Sequence, residues 1–96
     1  MKARALEEAK DEISVAIDYY SRISERLAIR FKRAVDRALV DVIEHPNQFP
    51  ILEGVYRRCR IKKFPYGIVY RIEAAEVVIT AFMHLHRKPG YWKGRA

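Results

Sequence analysis

Up to about residue 42 the apolar residues recur every three or four positions; past a proline-rich stretch they alternate with polar ones, and this change of period limits the possible folds. Leu6, Ala9, Ile13, Ala16, Ile17, Tyr20 and Ile23 fall on one face of a helix predicted over residues 6–23. Leu27, Phe31, Ala34, Val35, Ala38, Leu39 and Val42 do the same for a second helix. The break between them is Ser21-Arg22-Ile23-Ser24, where Ser24 is placed to accept an orphan backbone N–H and Glu25 suits the positive helix start. Pro46 ends the second helix, because the residue before a proline is pushed out of helical geometry. Two amphipathic helices with so short a connection predict an antiparallel hairpin over residues 6–45.

His45-Pro46-Asn47-Gln48-Phe49-Pro50, carried on to Gly54, is expected to be a loop. Residues 55–63, 66–73 and 77–86 are rich in β-branched and aromatic side chains, with Phe64-Pro65 and Glu73-Ala74-Ala75-Glu76 as breaks. They predict a three-stranded antiparallel meander over residues 55–86. Val55, Cys59 and Ile61 alternate with Tyr56, Arg58, Arg60 and Lys62, while Tyr66, Ile68, Tyr70 and Ile72 alternate with Gly67, Val69 and Arg71. One sheet face is therefore expected on the hairpin and the other in solvent. Lys2–Ala5 has the length of a short edge strand. The expected class is α+β: an N-terminal helical hairpin packed on a small antiparallel sheet, then a basic aromatic tail over residues 87–96. Ninety-six residues suffice for one domain, 1–96, without a disulfide or metal as a staple. Cys59 stands alone and is expected to be a buried thiol.

The formal charge of +7 is unevenly distributed. Residues 1–48 hold nine Lys and Arg against nine Asp and Glu, whereas residues 49–96 hold ten against three. Segregated positive charge favours an anionic partner, whether nucleic acid, nucleoprotein or an acidic protein segment. No apolar run approaches the ~20 residues of a membrane span, and Met1-Lys2-Ala3-Arg4 does not open a signal peptide, so a cytoplasmic location is expected and no membrane partner. There is no phosphate-cradling glycine loop and no nucleophile elbow, which removes the common nucleotide-hydrolysing and acyl-transfer readings; no cofactor is implied.

The densest chemical feature is Arg57-Arg58-Cys59-Arg60-Ile61-Lys62-Lys63. On a strand, Arg58, Arg60 and Lys62 share a face, and like charges in a row predict an anion-facing surface, with Arg71 on the next strand. The second is His84-Leu85-His86-Arg87-Lys88-Pro89-Gly90-Tyr91-Trp92-Lys93. On a strand running to residue 86, His84 and His86 would project to one face, where either can move protons near neutral pH. A His-x-His pair also binds metals, but no Asp, Glu or Cys motif accompanies it, and no metal is expected. Tyr91 and Trp92 are suited to stacking on bases between Arg87, Lys88, Lys93 and Arg95 or to packing on the core, and packing is the expectation for Trp92. Glu7, Glu8, Asp11 and Glu12 crowd the first helix start, which a solvated N-terminal turn explains.

The order of Ala16-Ile17-Asp18-Tyr19-Tyr20, His45-Pro46, Phe49-Pro50, Arg57-Arg58, Phe64-Pro65-Tyr66, Val69-Tyr70-Arg71 and His84-x-x-Arg87-x-Pro89-x-Tyr91-Trp92 resembles the RelE/ParE toxins over nearly the whole chain. The resemblance implies a toxin neutralised by a cognate antitoxin that wraps the hairpin and sheet, in a hetero-oligomeric pair that maintains plasmids or responds to stress. RelE-like members cleave messenger RNA on the ribosome; ParE-like members poison DNA gyrase with no known reaction of their own. Matched to the nuclease pattern, Arg60 and Lys62 fall at its strand cations, Arg87 at its last-strand arginine and Tyr91 near its tail tyrosine, with His86 a further candidate. Gly67 stands where that pattern has an arginine, unless Arg71 or His86 compensates. The long hairpin and the ending from His84 to Trp92 are similar to the ParE side. A gyrase-directed inhibitor, a ribosome-dependent endoribonuclease and an inactive relative that keeps antitoxin binding are the readings the resemblance leaves.

Overall fold

In the computed structural model, which describes residues 1–96, the chain runs β1 (Lys2–Ala5), α1 (Glu7–Ile23), α2 (Glu25–Glu44), β2 (Ile51–Glu53), β3 (Tyr56–Arg60), β4 (Tyr66–Glu73) and β5 (Glu76–His84). The five strands form one sheet in the order β1-β5-β4-β3-β2, antiparallel except for β1, which lies parallel to β5. No helix is long and apolar enough to cross a membrane.

The expected hairpin forms. The Ser24 hydroxyl accepts the Leu27 N–H at 3.0 Å, so one residue ends α1 and caps α2. The buried residues of the two helices, among them Ala9, Ala16, Tyr20, Phe31, Val35, Ala38 and Val42, meet Cys59, Ile61, Ile68, Tyr70, Val77, Ile79 and Phe82 from the sheet in one core. Tyr20, Phe31, Phe64 and Tyr66 interlock there edge to face, a geometry aromatic rings favour.

Four expectations are corrected. The stretch 45–54 holds a short strand, β2, because the Pro50 carbonyl and Ile51 meet β3; three residues between a proline and Gly54 are too few to show alternation. Val55 does not face the core but sits 68% exposed in the turn before β3. The first meander strand stops at Arg60, not at residue 63, and the last at His84, not at residue 86. Finally, the second sheet face does not simply look out. Val69, Ala81 and Met83 on that face are buried under Trp92, with Leu52, Tyr56 and Tyr91 around them.

One irregularity shapes the site. Val69 pairs with Ala81 but Tyr70 pairs with Ile79, so Thr80 is an extra residue in β5, a β-bulge. β1 covers the outer edge of β5 only as far as Ile79, whose carbonyl accepts the Leu6 N–H before the chain turns into α1. Past that point the edge has no strand neighbour, and two side chains serve as one. Glu12 of α1 accepts the Phe82 N–H at 3.0 Å, and Arg95 of the tail donates to the Thr80 carbonyl at 3.1 Å.

Candidate functional site

Between α2 and β3 the two layers part, leaving a groove of about 950 Å³. Arg30, Arg33 and Arg37 form its helical wall, and Arg60, Lys62 and Lys63 form the wall of strand and turn. Ala34, Ala38, Phe49, Cys59 and Phe64 supply an apolar lining, and Asp36 and Asp41 are the only acids along it. None of the six cations has an opposite charge within 4.0 Å. Burial pushes the Cys59 thiol up to about 11, with Asp41 adding to the effect, so it is a neutral core group near pH 7 and not a nucleophile.

Lys62 therefore does not continue a strand row with Arg58 and Arg60, because it lies beyond the end of β3. It joins Arg60 across the groove from α2. Arg58 lies apart: its stem runs across Gly67, where an added Cβ would meet the Arg58 Cγ and Cδ at 2.9 Å. Arg57 is structural, donating to the Asn47 and Phe49 carbonyls at 3.3 and 2.7 Å. The Tyr70 hydroxyl donates to the Pro46 carbonyl and ties down the same loop.

The tail cations behave differently. Arg95 makes a forked pair with Glu12, at 2.9 and 3.2 Å, with both side chains over four-fifths buried. Arg87 approaches the same carboxylate at 3.8 Å and lies over the Tyr91 ring, 3.5 Å from its centre. Lys93 pairs with Glu53. Arg71, expected on an anion-facing surface, is instead held by Glu73 at 2.7 Å, Thr80 at 3.2 Å and the Ala96 carbonyl at 3.0 Å. Trp92 is fully buried, so it packs as expected and cannot also stack on a ligand in this state. Lys88 is exposed and unpaired. The solvated turn expected at the start of α1 is overturned for Glu12, which is the hub of this network.

His84 and His86 are not two positions of one strand. The chain turns after His84, and the His86 N–H donates back to His84 Nδ1 at 3.1 Å, leaving the rings 5.2 Å apart at 82°. His84 and Arg87 line a second cleft, of about 340 Å³, with Asp11, Glu12, Tyr66 and Phe82. The Tyr91 hydroxyl is buried close to Glu12, and burial, followed by the Glu12 charge, pushes it up to about 12. The residues matched to a nuclease thus fall in two places. Arg60 and Lys62 line one cleft, Arg87 lines the other under a carboxylate, and no residue is common to both.

Sequence reasoning missed Arg30, Arg33, Arg37 and Glu12. The arginines carried a usable signal, since Arg26, Arg30, Arg33 and Arg37 step by four, three and four, the same period as the apolar face. Balancing charge over the first half hid them behind the acids of α1.

Three comparisons with known proteins bear on this arrangement. The family profile described as "ParE toxin of type II toxin-antitoxin system, parDE" matches residues 4–89. A solved structure described as the chromosomal ParDE TA system from P. aeruginosa is similar in fold, with a TM-score of 0.78 over 88% of this chain and 96% of that one, at 16% identity. No curated protein matches the chain in sequence.

Proposed function

The chain belongs to the ParE toxin family of type II toxin-antitoxin systems, and from that premise we propose that it is held inactive by a cognate antitoxin and, when released, inhibits DNA gyrase by binding rather than by catalysis. The observation that carries the non-enzymatic reading is the separation of the nuclease-matched residues. Cleaving RNA through a ribose hydroxyl needs a base, an acid and cations converging on one phosphate. Here Arg60 and Lys62 are on one groove, Arg87 is drawn to Glu12 in another, the Tyr91 hydroxyl is buried, and Gly67 offers no side chain. Arg71 does not compensate, because Glu73, Thr80 and Ala96 occupy its guanidinium.

Val15, Tyr19 and Ile23 repeat every four residues along α1 and are 70%, 57% and 58% exposed, an apolar stripe that an antitoxin segment would cover. The net positive charge would speed its encounter with an acidic segment. Induced expression in a bacterial host tests the target, with DNA breaks and the SOS response followed beside messenger RNA 5′-end mapping. Early DNA damage with intact transcripts is expected. Rapid in-frame transcript cleavage, abolished by Lys62→Ala or Arg87→Ala, would overturn the gyrase reading.

A further inference from the structure

We infer that the groove between α2 and β3 is a binding cleft for single-stranded DNA, a role separate from antitoxin and gyrase recognition and independent of which target the toxin has. The groove holds positive charge without counter-charge. Seven of the 19 Lys and Arg residues, Arg4, Lys10, Arg22, Arg71, Arg87, Lys93 and Arg95, meet a carboxylate; of the twelve that do not, six line this one groove. The six groove cations meet none, although Asp36 and Asp41 stand on the same helix. Like charges set close together without counter-charges raise the energy of the folded state, and a bound polyanion relieves it.

Geometry selects the kind of polyanion. Arg30, Arg33 and Arg37 follow one line on α2 with rises of about 4.5 and 6 Å, a row of about 10 Å. A regular row suits a polymer with one charge per repeat, and guanidinium groups match phosphate in forked pairs. Arg60, Lys62 and Lys63 face this row from the other wall, so a single backbone between them is neutralised from both sides. The partly exposed rings of Phe49 and Phe64, with Ala34 and Ala38, give bases and sugars an apolar bed, the combination used by sequence-tolerant single-strand binders. With the charged side chains taken up by phosphates, the apolar lining of Ala34, Ala38, Phe49 and Phe64 would desolvate a ribose 2′-hydroxyl without hydrogen-bonding it, which favours deoxyribose over ribose.

The test is fluorescence anisotropy with the full chain and a labelled 12-nucleotide single-stranded DNA, at 50 and 200 mM salt. Neutralising about five phosphates on a single strand gives a salt slope near −3.5, a loss of roughly 100-fold over that range. Arg33→Glu with Lys62→Glu should weaken binding at least tenfold more than Lys2→Glu with Lys32→Glu, a pair with the same charge change outside the groove. Circular dichroism checks that both variants fold, and Arg33→Gln with Lys62→Gln, for which a smaller loss in the same order is expected, serves if the reversal does not. Equal losses from the two reversals would overturn the site, leaving only overall charge. Tighter binding of the same sequence as RNA or as duplex would overturn the single-stranded DNA assignment. So would equal competition by a glutamate 12-mer, which would make the groove a peptide cleft.

Discussion

The tail and the α2–β3 groove are the two most basic regions of the molecule, and their cations do opposite things. In the tail, Arg87 and Arg95 converge on Glu12 and Lys93 reaches Glu53, so that every tail cation but Lys88 is engaged within the protein and the contacts hold Trp92 over the sheet. In the groove, Arg30, Arg33, Arg37, Arg60, Lys62 and Lys63 stand without partners. The difference teaches that density of Lys and Arg along a sequence is a poor guide to where a protein offers charge. What matters is whether an acid from another element reaches the same place. α1 and β2 bring such acids, Glu12 and Glu53, to the tail; Asp36 and Asp41 line the groove without closing on its cations.

The largest effect that separates the two regions is expected from Glu12→Ala. The Phe82 N–H would lose its acceptor and Arg95 its anion in a site with less than a fifth of either side chain exposed. Removing one partner of a buried pair costs about 3–5 kcal/mol, and the residual exposure here reduces this to about 2–3 kcal/mol. Urea unfolding measures it; a change under 1 kcal/mol would mean the tail is not held by this carboxylate.

Next comes alkaline pH. Burial raises the Tyr91 phenol to about 12, against an ordinary value near 10 in the unfolded chain. A folded pKa above the unfolded one means this contribution is fully present below pH 10 and is lost as pH rises toward 12. The loss is on the order of 2 kcal/mol for Tyr91. Tyr70, also raised to about 12 by burial, adds a similar loss from outside the tail. Tyr91→Phe, which removes the titrating group, should therefore lose less stability between pH 10 and 12 than the parent protein. Identical alkaline curves for the two proteins would move the effect out of the tail, to Tyr70 and the other buried groups raised by desolvation, Cys59, Tyr20 and Tyr66.

The smallest effect belongs to the groove. Arg33→Ala and Arg37→Ala break no ion pair, so each should change stability by less than about 0.5 kcal/mol at low salt, with any gain coming from relief of repulsion. A loss above 1 kcal/mol from either would show that the groove cations are structural after all and would erase the contrast with the tail.

Much of the fold was legible because its signals are local. The two helical faces, the Ser24 cap, the stop at Pro46 and the β3–β5 meander each rest on a few neighbouring residues. β2 has only three residues, and its pairing depends on the bulged register with β3. The parallel partner of β1 lies more than seventy residues away, so Lys2–Ala5 could be read as a strand but not placed beside β5. The site was half legible. Arg60 and Lys62 stood out by density, but Arg30, Arg33 and Arg37 needed the helical period to be applied to charge as well as to apolar residues. Glu12 carried no local signal, because what it binds, Phe82 and Arg95, is brought to it only by the finished sheet and tail.

That last contact joins positions 83 residues apart and forms the missing neighbour of the β5 edge. Closing so long a loop costs entropy before any contact repays it, and chains are made from the N-terminus at roughly 5–20 residues per second. The hairpin and its core are complete as sequence well before residue 95 exists. Until the tail docks, the edge past Ile79 is open, and the apolar patch of Val69, Ala81 and Met83 lacks Trp92. A folding chain of this protein therefore passes through an interval in which it presents a sticky, half-finished sheet, and anything that binds that sheet early competes with residues 87–96.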